Sequence, residues 1–159
     1  MPVPISSCMK RNVVCVKSQT PLSEAAKLLV QKHVGMLPVI DEENKLVGML
    51  SLAEMLELFL PAFVRLMDNV DFVHDFGALE EVRIDPAVRR KPVSAVMHEP
   101  VSVEETTGLI RAYTILLKHE MHDLPIVKPD GTLVGIASRV DVGTAFLSGW
   151  ETGPLTPPE

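Results

Sequence analysis

The 159-residue sequence predicts an α/β fold built from two copies of one β-α-β-β-α unit, packed as a pseudo-two-fold intramolecular pair. Three observations predict it. The chain matches itself when shifted by 87 residues, short apolar runs alternate with amphipathic helical stretches, and each copy carries a hairpin pattern followed by a helix start. Under that shift Val14, Val16, Thr20, Leu22, Ala25 and Leu29 fall on Val101, Val103, Thr107, Leu109, Ala112 and Leu116. Leu37-Pro38 falls on Leu124-Pro125, Leu46-Val47-Gly48 on Leu133-Val134-Gly135, Ser51 on Ser138 and Glu54 on Asp141. One residue further along, Ser6 and Met9 match Ser94 and Met97.

The elements follow in the same order in each copy. A short helical turn precedes a brief strand, VVCV in the first copy and VSV in the second. An amphipathic helix comes next. In the first copy Leu22, Ala25, Ala26, Leu28 and Leu29 share a face, with Thr20 expected as N-cap and Pro21 at the first helical position. In the second, Leu109, Ala112, Tyr113 and Leu116 do the same after Thr107. Two β-rich runs, Met36 to Ile40 and Leu46 to Leu50, then flank the polar turn DEENK; Leu124 to Val127 and Leu133 to Ala137 flank KPDG. Each hairpin leads into a helix starting at Ser51 or Ser138. The expected divisions are repeat one over 1–58, a helical linker over 59–91, repeat two over 92–147 and a flexible tail over 148–159.

A unit of roughly fifty residues buries too little apolar surface to offset chain entropy by itself. The two sheets are therefore expected to press together, share a core and leave a cleft near the pseudo-two-fold axis. Apolar helix surface left over favours a homodimer. The linker stretch FLPAFVRLMDNVDFVHDF holds four of the five phenylalanines and is expected to pack against the module or a second subunit.

Composition removes several function classes. A hydrophobic fraction of 47% with 23% charged residues fits a soluble globular protein. A net charge of −6 argues against general attraction to nucleic acid or an anionic membrane. The most apolar stretch, LAEMLELFLPAFVRLM, carries Glu54, Glu57, Pro61 and Arg65, so it is no membrane span. Cys8 and Cys15 are too few for a disulfide framework and read as reduced thiols; with no signal peptide discernible, a cytoplasmic setting is expected. His119 and His122 sit three apart, but no further ligands accompany them at metal-binding spacing, and His74 is similarly isolated. No nucleophile elbow, Gly-rich phosphate loop or pair of catalytic carboxylates is visible, so an enzyme is not expected.

The twice-repeated G-h-h-S-x-x-D/E pattern after a Leu-Pro strand, inside a β-α-β-β-α unit, resembles the CBS domain, named after cystathionine β-synthase. The tandem arrangement is similar to a Bateman module. The resemblance covers residues 5 to about 58 and 92 to about 147. It implies a non-catalytic sensor with no obligatory cofactor, binding an adenosine compound (AMP, ADP, ATP or S-adenosylmethionine) between the repeats and signalling to a partner protein. The alternative is a structural interaction or dimerisation module whose nucleotide sites have degenerated.

The resemblance points to a main site of Ser138, Arg139 and Asp141, with Val101, Ser102 and Val103 and with His122, Asp123, Leu124 and Pro125. A carboxylate at Asp141 can accept hydrogen bonds from both ribose hydroxyls, while Ser138, Arg139 and a helix N-terminus suit a phosphate. Ser138 and Asp141 also fit a capping box, and the two roles stay open. The weaker counterpart comprises Ser51 and Glu54, with Val14, Cys15, Val16, Met36, Leu37 and Pro38. There Leu52 replaces the cation and Glu54 the family's usual Asp, so capping is the expected role. Lys10 and His98, after the paired methionines, are read as solvated surface, with contact to a phosphate as the alternative, and Arg89, Arg90 and Lys91 are read the same way.

Overall fold

A computed structural model describes residues 3–58 and 85–152. Each repeat forms one three-stranded sheet. In the first, β1 (Val16–Lys17) pairs in parallel with β2 (Met36–Ile40), which pairs antiparallel with β3 (Leu46–Ser51); α1 (Leu22–Lys32) crosses over between β1 and β2, and α2 (Leu52–Glu57) follows β3. A short α3 (Pro86–Arg89) leads into the second repeat. There β4 (Val103–Glu104), α4 (Leu109–Lys118), β5 (Asp123–Val127), β6 (Leu133–Ser138) and α5 (Arg139–Thr152) repeat the order and the pairing. Even the register irregularity recurs, between Val39 and Ile40 and between Ile126 and Val127.

The hairpins form where the apolar runs predict them. At the tighter turn Gly131 adopts φ +92°, and at the longer one Asn44 takes φ +64°, a left-handed conformation that Asn tolerates. The strands VVCV and VSV are shorter than the sequence suggests, reduced to two paired residues each.

Two local expectations are corrected. Pro21, not Thr20, stands at the N-cap of α1, and the Thr20 hydroxyl instead accepts from the Lys17 amide at 3.1 Å. The tail expected from residue 148 is helical as far as Thr152, where α5 ends among the described residues. Phe146 and Trp150, four residues apart on that helix, meet edge to face at 6.2 Å, a contact that favours the extra turn. The aromatic linker expectation falls on 59–84, outside the described residues.

The cores depart from the expected single shared interior. Each sheet has its own, and each is completed by the other repeat. Ile5 and Met9, from the first repeat, join Val103, Leu109, Leu116, Leu124 and Ile126 in one cluster. Val93, with Val96 and Met97 beside it, completes the cluster of Val16, Leu22, Leu29, Leu37 and Leu50. Backbone hydrogen bonds fix the exchange: Ile5 N donates to Thr107 O at 2.7 Å, and Val93 N to Thr20 O at 2.8 Å. Lys10 and Ile136 then exchange a pair of amide bonds, as do His98 and Met49. Two glycines admit these arms. A Cβ on Gly135 would stand 2.7 Å from Met9 Sδ, and one on Gly48 would stand 2.5 Å from Met97 Sδ. The exchanged arms thus staple the repeats together and carry the residues that follow each methionine onto the opposite sheet.

Candidate functional site

The seam between the repeats has two equivalent ends. At one, β6 delivers Ser138 to the start of α5. The Ser138 amide donates to Asp141 Oδ2 at 2.9 Å and the Asp141 amide to Ser138 Oγ at 3.0 Å. This reciprocal box satisfies orphan amides at the helix start, with Asp in the place usually held by Glu or Gln. Lys10, carried in by the first arm, brings Nζ to 3.9 Å from the same Oδ2. Oδ1 makes no hydrogen bond among the described residues. The Asp141 side chain is 20% exposed and that of Lys10 69%, so the pair contributes at most about 1 kcal/mol. Its consequence is positional: a cation stands where a ligand's anionic group would meet the helix N-terminus.

A cleft of about 230 Å³ opens there. Asp141, Ser138, Ile136 and Asp123 come from repeat two; Lys10, Asn12 and Val14 come from the first arm and the approach to β1; His33, Val34, Gly35 and Met36 come from the turn between α1 and β2. Val14, Val34, Met36 and Ile136 supply apolar wall, and polar groups converge on one side, the usual make-up of a small-molecule site. Burial pushes the Asp123 carboxyl up; His122 and Lys10 pull it down and Asp141 pushes it up further. Burial, helped by Asp141, also raises the Cys8 thiol, and burial raises Cys15 against the pull of Lys17, so both cysteines stay protonated and weakly nucleophilic.

Of the residues expected at the main site, the cleft gathers Asp141, Ser138 and Asp123. From the weaker set it takes Val14 and Met36, so the grouping by repeat that the sequence suggests is crossed in space. Arg139 does not reach the cleft. Its Nε donates to Met121 O at 2.5 Å and its Nη2 to Leu116 O at 3.4 Å, where a cation satisfies carbonyls at the C-terminal end of α4. Lys10 lines the cleft while staying 69% exposed, so its reading as solvated surface holds alongside a place at the site. Leu124, Pro125, Leu37 and Pro38 are fully buried sheet residues, and Val103 and Val16 sit in the two cores. Ser102 and His122 are exposed; Val101 and Cys15 are half-buried, with the Val101 amide against Met49 Sδ at 3.3 Å.

The other end of the seam is built alike and filled differently. Ser51 and Glu54 form a capping box, with the Ser51 amide donating to Glu54 Oε2 at 2.8 Å and the Ser51 hydroxyl bonded to the same oxygen. His98, the repeat-two counterpart of Lys10, bonds Glu54 Oε1 through Nδ1. Both carboxylate oxygens are therefore occupied from within. His98 is exposed, as its reading as solvated expects, and it also pairs with Glu54.

A tandem pair of α/β units, interlocked by exchanged arms and holding a small polar-rimmed cleft at the seam, is the class of protein defined here. The chain belongs to the CBS domain family, whose profile matches residues 5–61 and 93–147. It is 35% identical over 145 residues to the CBS domain-containing protein CBSX1, chloroplastic, of Arabidopsis thaliana, covering 87% of this chain and 61% of that one. It is 32% identical over 144 residues to CBSX2, chloroplastic, of the same plant, covering 87% and 60%. The chain thus spans about 60% of the length of these curated relatives. Among solved structures, CBSX2 in complex with AMP aligns with a TM-score of 0.69 at 29% identity, over 92% of this chain and 98% of that one. CBSX2 crystallised as the CBS-pair protein aligns at 0.74, also at 29% identity, over 96% and 100%.

Among the described residues no helix is long and apolar enough to cross a membrane, and no group of three or more His, Cys, Asp or Glu could hold a metal ion.

Proposed function

We propose that this protein is a non-catalytic sensor of an adenosine compound, held in the cleft between Lys10, Asp141 and Met36. One observation carries the reading. Asp141, which lines a cleft built by both repeats, has no hydrogen bond to Oδ1 among the described residues. A carboxylate so placed suits the paired hydroxyls of a ribose, and the apolar wall of Val14, Met36 and Ile136 suits a flat base. The likeness to CBSX2, a protein solved with AMP, supports the same choice of ligand class. Because both repeats line the cleft, a ligand that fits only their closed arrangement shifts the population towards it, by no more than its differential affinity for the two arrangements. That shift is the message to a partner protein.

The signalling form in this proposal is a homodimer. Val30 on α1 and Leu117 on α4 hold equivalent positions in the two repeats, and both are solvent-facing, at 78% and 50% exposed. A second copy could cover both through one self-complementary face. The cytoplasmic setting stays a proposal resting on the two free thiols; the chloroplastic names of the relatives point to a plastid instead, and fractionation of the source cells separates the two.

Calorimetric titration of the full chain with AMP, ADP, ATP and S-adenosylmethionine tests the ligand class. Saturable heat with at least one of them is expected. Silence with all four, together with no shift in melting temperature, overturns the sensor reading and leaves a structural interaction module in its place.

A further inference from the structure

The cleft's charges specify more than an adenosine. Among the described residues lining it, Lys10, Asp123 and Asp141 are the lysine and carboxylate side chains, and His33 is the one imidazole. The ammonium is already drawn to Asp141 at 3.9 Å. The guanidinium that would have added a second cation, Arg139, is turned away and bound to the carbonyls of Met121 and Leu116. Asp123 makes no hydrogen bond with its carboxylate among the described residues, and Oδ2 lies 3.9 Å from where a Cβ on Gly35 would stand, across the seam. Among the described residues the cleft therefore sets one ammonium and one imidazole, His33, against two carboxylates, in about 230 Å³. That volume is below the usual range for drug-sized ligands of about 300–1,000 Å³.

Resting on the adenosine reading above, we propose that the cleft selects its ligand by charge. Adenosine compounds with one phosphate or none are accepted, di- and triphosphates are rejected, and Asp123 is the specificity-determining residue. A single phosphate can be met by Lys10 and the amide end of α5. Each further phosphate adds negative charge to a small site in which, among the described residues, no second lysine or arginine meets it, and like charges at close range cost heavily where water is scarce. Asp123 is also what distinguishes this repeat from its copy, since the equivalent position on β2 is Met36.

The test is a ladder of adenosine, AMP, ADP and ATP, titrated without magnesium into wild type, Asp123→Asn and Asp123→Met. In wild type, ADP is expected to bind about tenfold more weakly than AMP, and ATP about a hundredfold. Both variants are expected to narrow the AMP-to-ATP ratio by about tenfold, with AMP itself changing less. Asp123→Asn keeps the side-chain shape and Asp123→Met uses the residue the first repeat already tolerates, so failure to fold in one leaves the other informative. ATP binding as tightly as AMP in wild type overturns the proposal while leaving the sensor reading intact. So does a uniform loss for every ligand in the variants, which marks Asp123 as merely structural. Absence of binding by all four in wild type overturns the sensor reading itself, and this inference with it.

Discussion

The two ends of the seam follow one backbone pattern and differ in the carboxylate and in the side chain that faces it. At one, Lys10 faces Asp141; at the other, His98 faces Glu54. The longer arm of Glu54 lets one oxygen cap α2 and the other reach His98, so the carboxylate is satisfied internally. The shorter Asp141 caps α5 with Oδ2 alone, and its cation stays at the limit of contact. A buried or half-buried polar atom without a partner is costly, and a ligand that supplies the partner recovers that cost. Capping and ligand binding, which the sequence leaves as rivals at Asp141, are thus compatible there because they use different oxygens. At Glu54 the second oxygen is taken by His98.

The scaffold should respond alike at both ends, and the largest effects test that symmetry. Ile5→Ala is expected to destabilise the protein by about 2–5 kcal/mol in urea denaturation, and Val93→Ala by a smaller but comparable amount, because each empties the core of the opposite repeat. A loss at only one of them breaks the equivalence of the exchanged arms. Next in size are Gly48→Ala and Gly135→Ala. The methionine opposite must give way in each, so a loss of about 1–3 kcal/mol is expected from thermal or chemical unfolding. Ser51→Ala and Ser138→Ala should each cost about 1 kcal/mol, the usual worth of an N-cap, and should do so equally.

The smallest effect distinguishes the ends through pH. Burial raises the Asp123 carboxyl in the folded state, outweighing His122 and Lys10. The folded protein holds that proton more tightly than the unfolded chain does. The associated stability is therefore full below the unfolded pKa and is lost as pH rises through the higher folded value. Asp123→Asn should flatten that part of the stability curve, seen in melting temperatures taken from about pH 3.5 upwards. A steeper fall in the variant would contradict the assignment.

Most of the fold was legible because repetition and periodicity are local signals. The Leu-Pro strands, the polar turns and the apolar face of Leu22, Ala25 and Leu29 each fall where their spacing puts them. Which core Ile5 or Val93 enters is a long-range fact with no periodic trace, so the exchange of arms was invisible. Lys10 was ranked as solvated surface ahead of a phosphate-facing role for that reason. Its match to His98 was visible, but a lysine after a short turn looks solvated until the arm is seen to cross the seam. Arg139 misled in the opposite direction, since a cation in a capping motif suits a phosphate equally well as a helix C-terminus. Val14 and Met36 were recognised as binding candidates but grouped with the wrong carboxylate.

The most direct test is a calorimetric titration of AMP into wild type, Asp141→Asn and Glu54→Gln. The amide in each variant keeps a side chain of nearly the same shape at the cap, so the comparison isolates the charge that a ribose would meet. Binding in wild type, a loss of at least tenfold with Asp141→Asn and little change with Glu54→Gln is the predicted result. Equal losses in both variants, or a greater loss with Glu54→Gln, would contradict the claim that only the Asp141 end of the seam is open to a ligand.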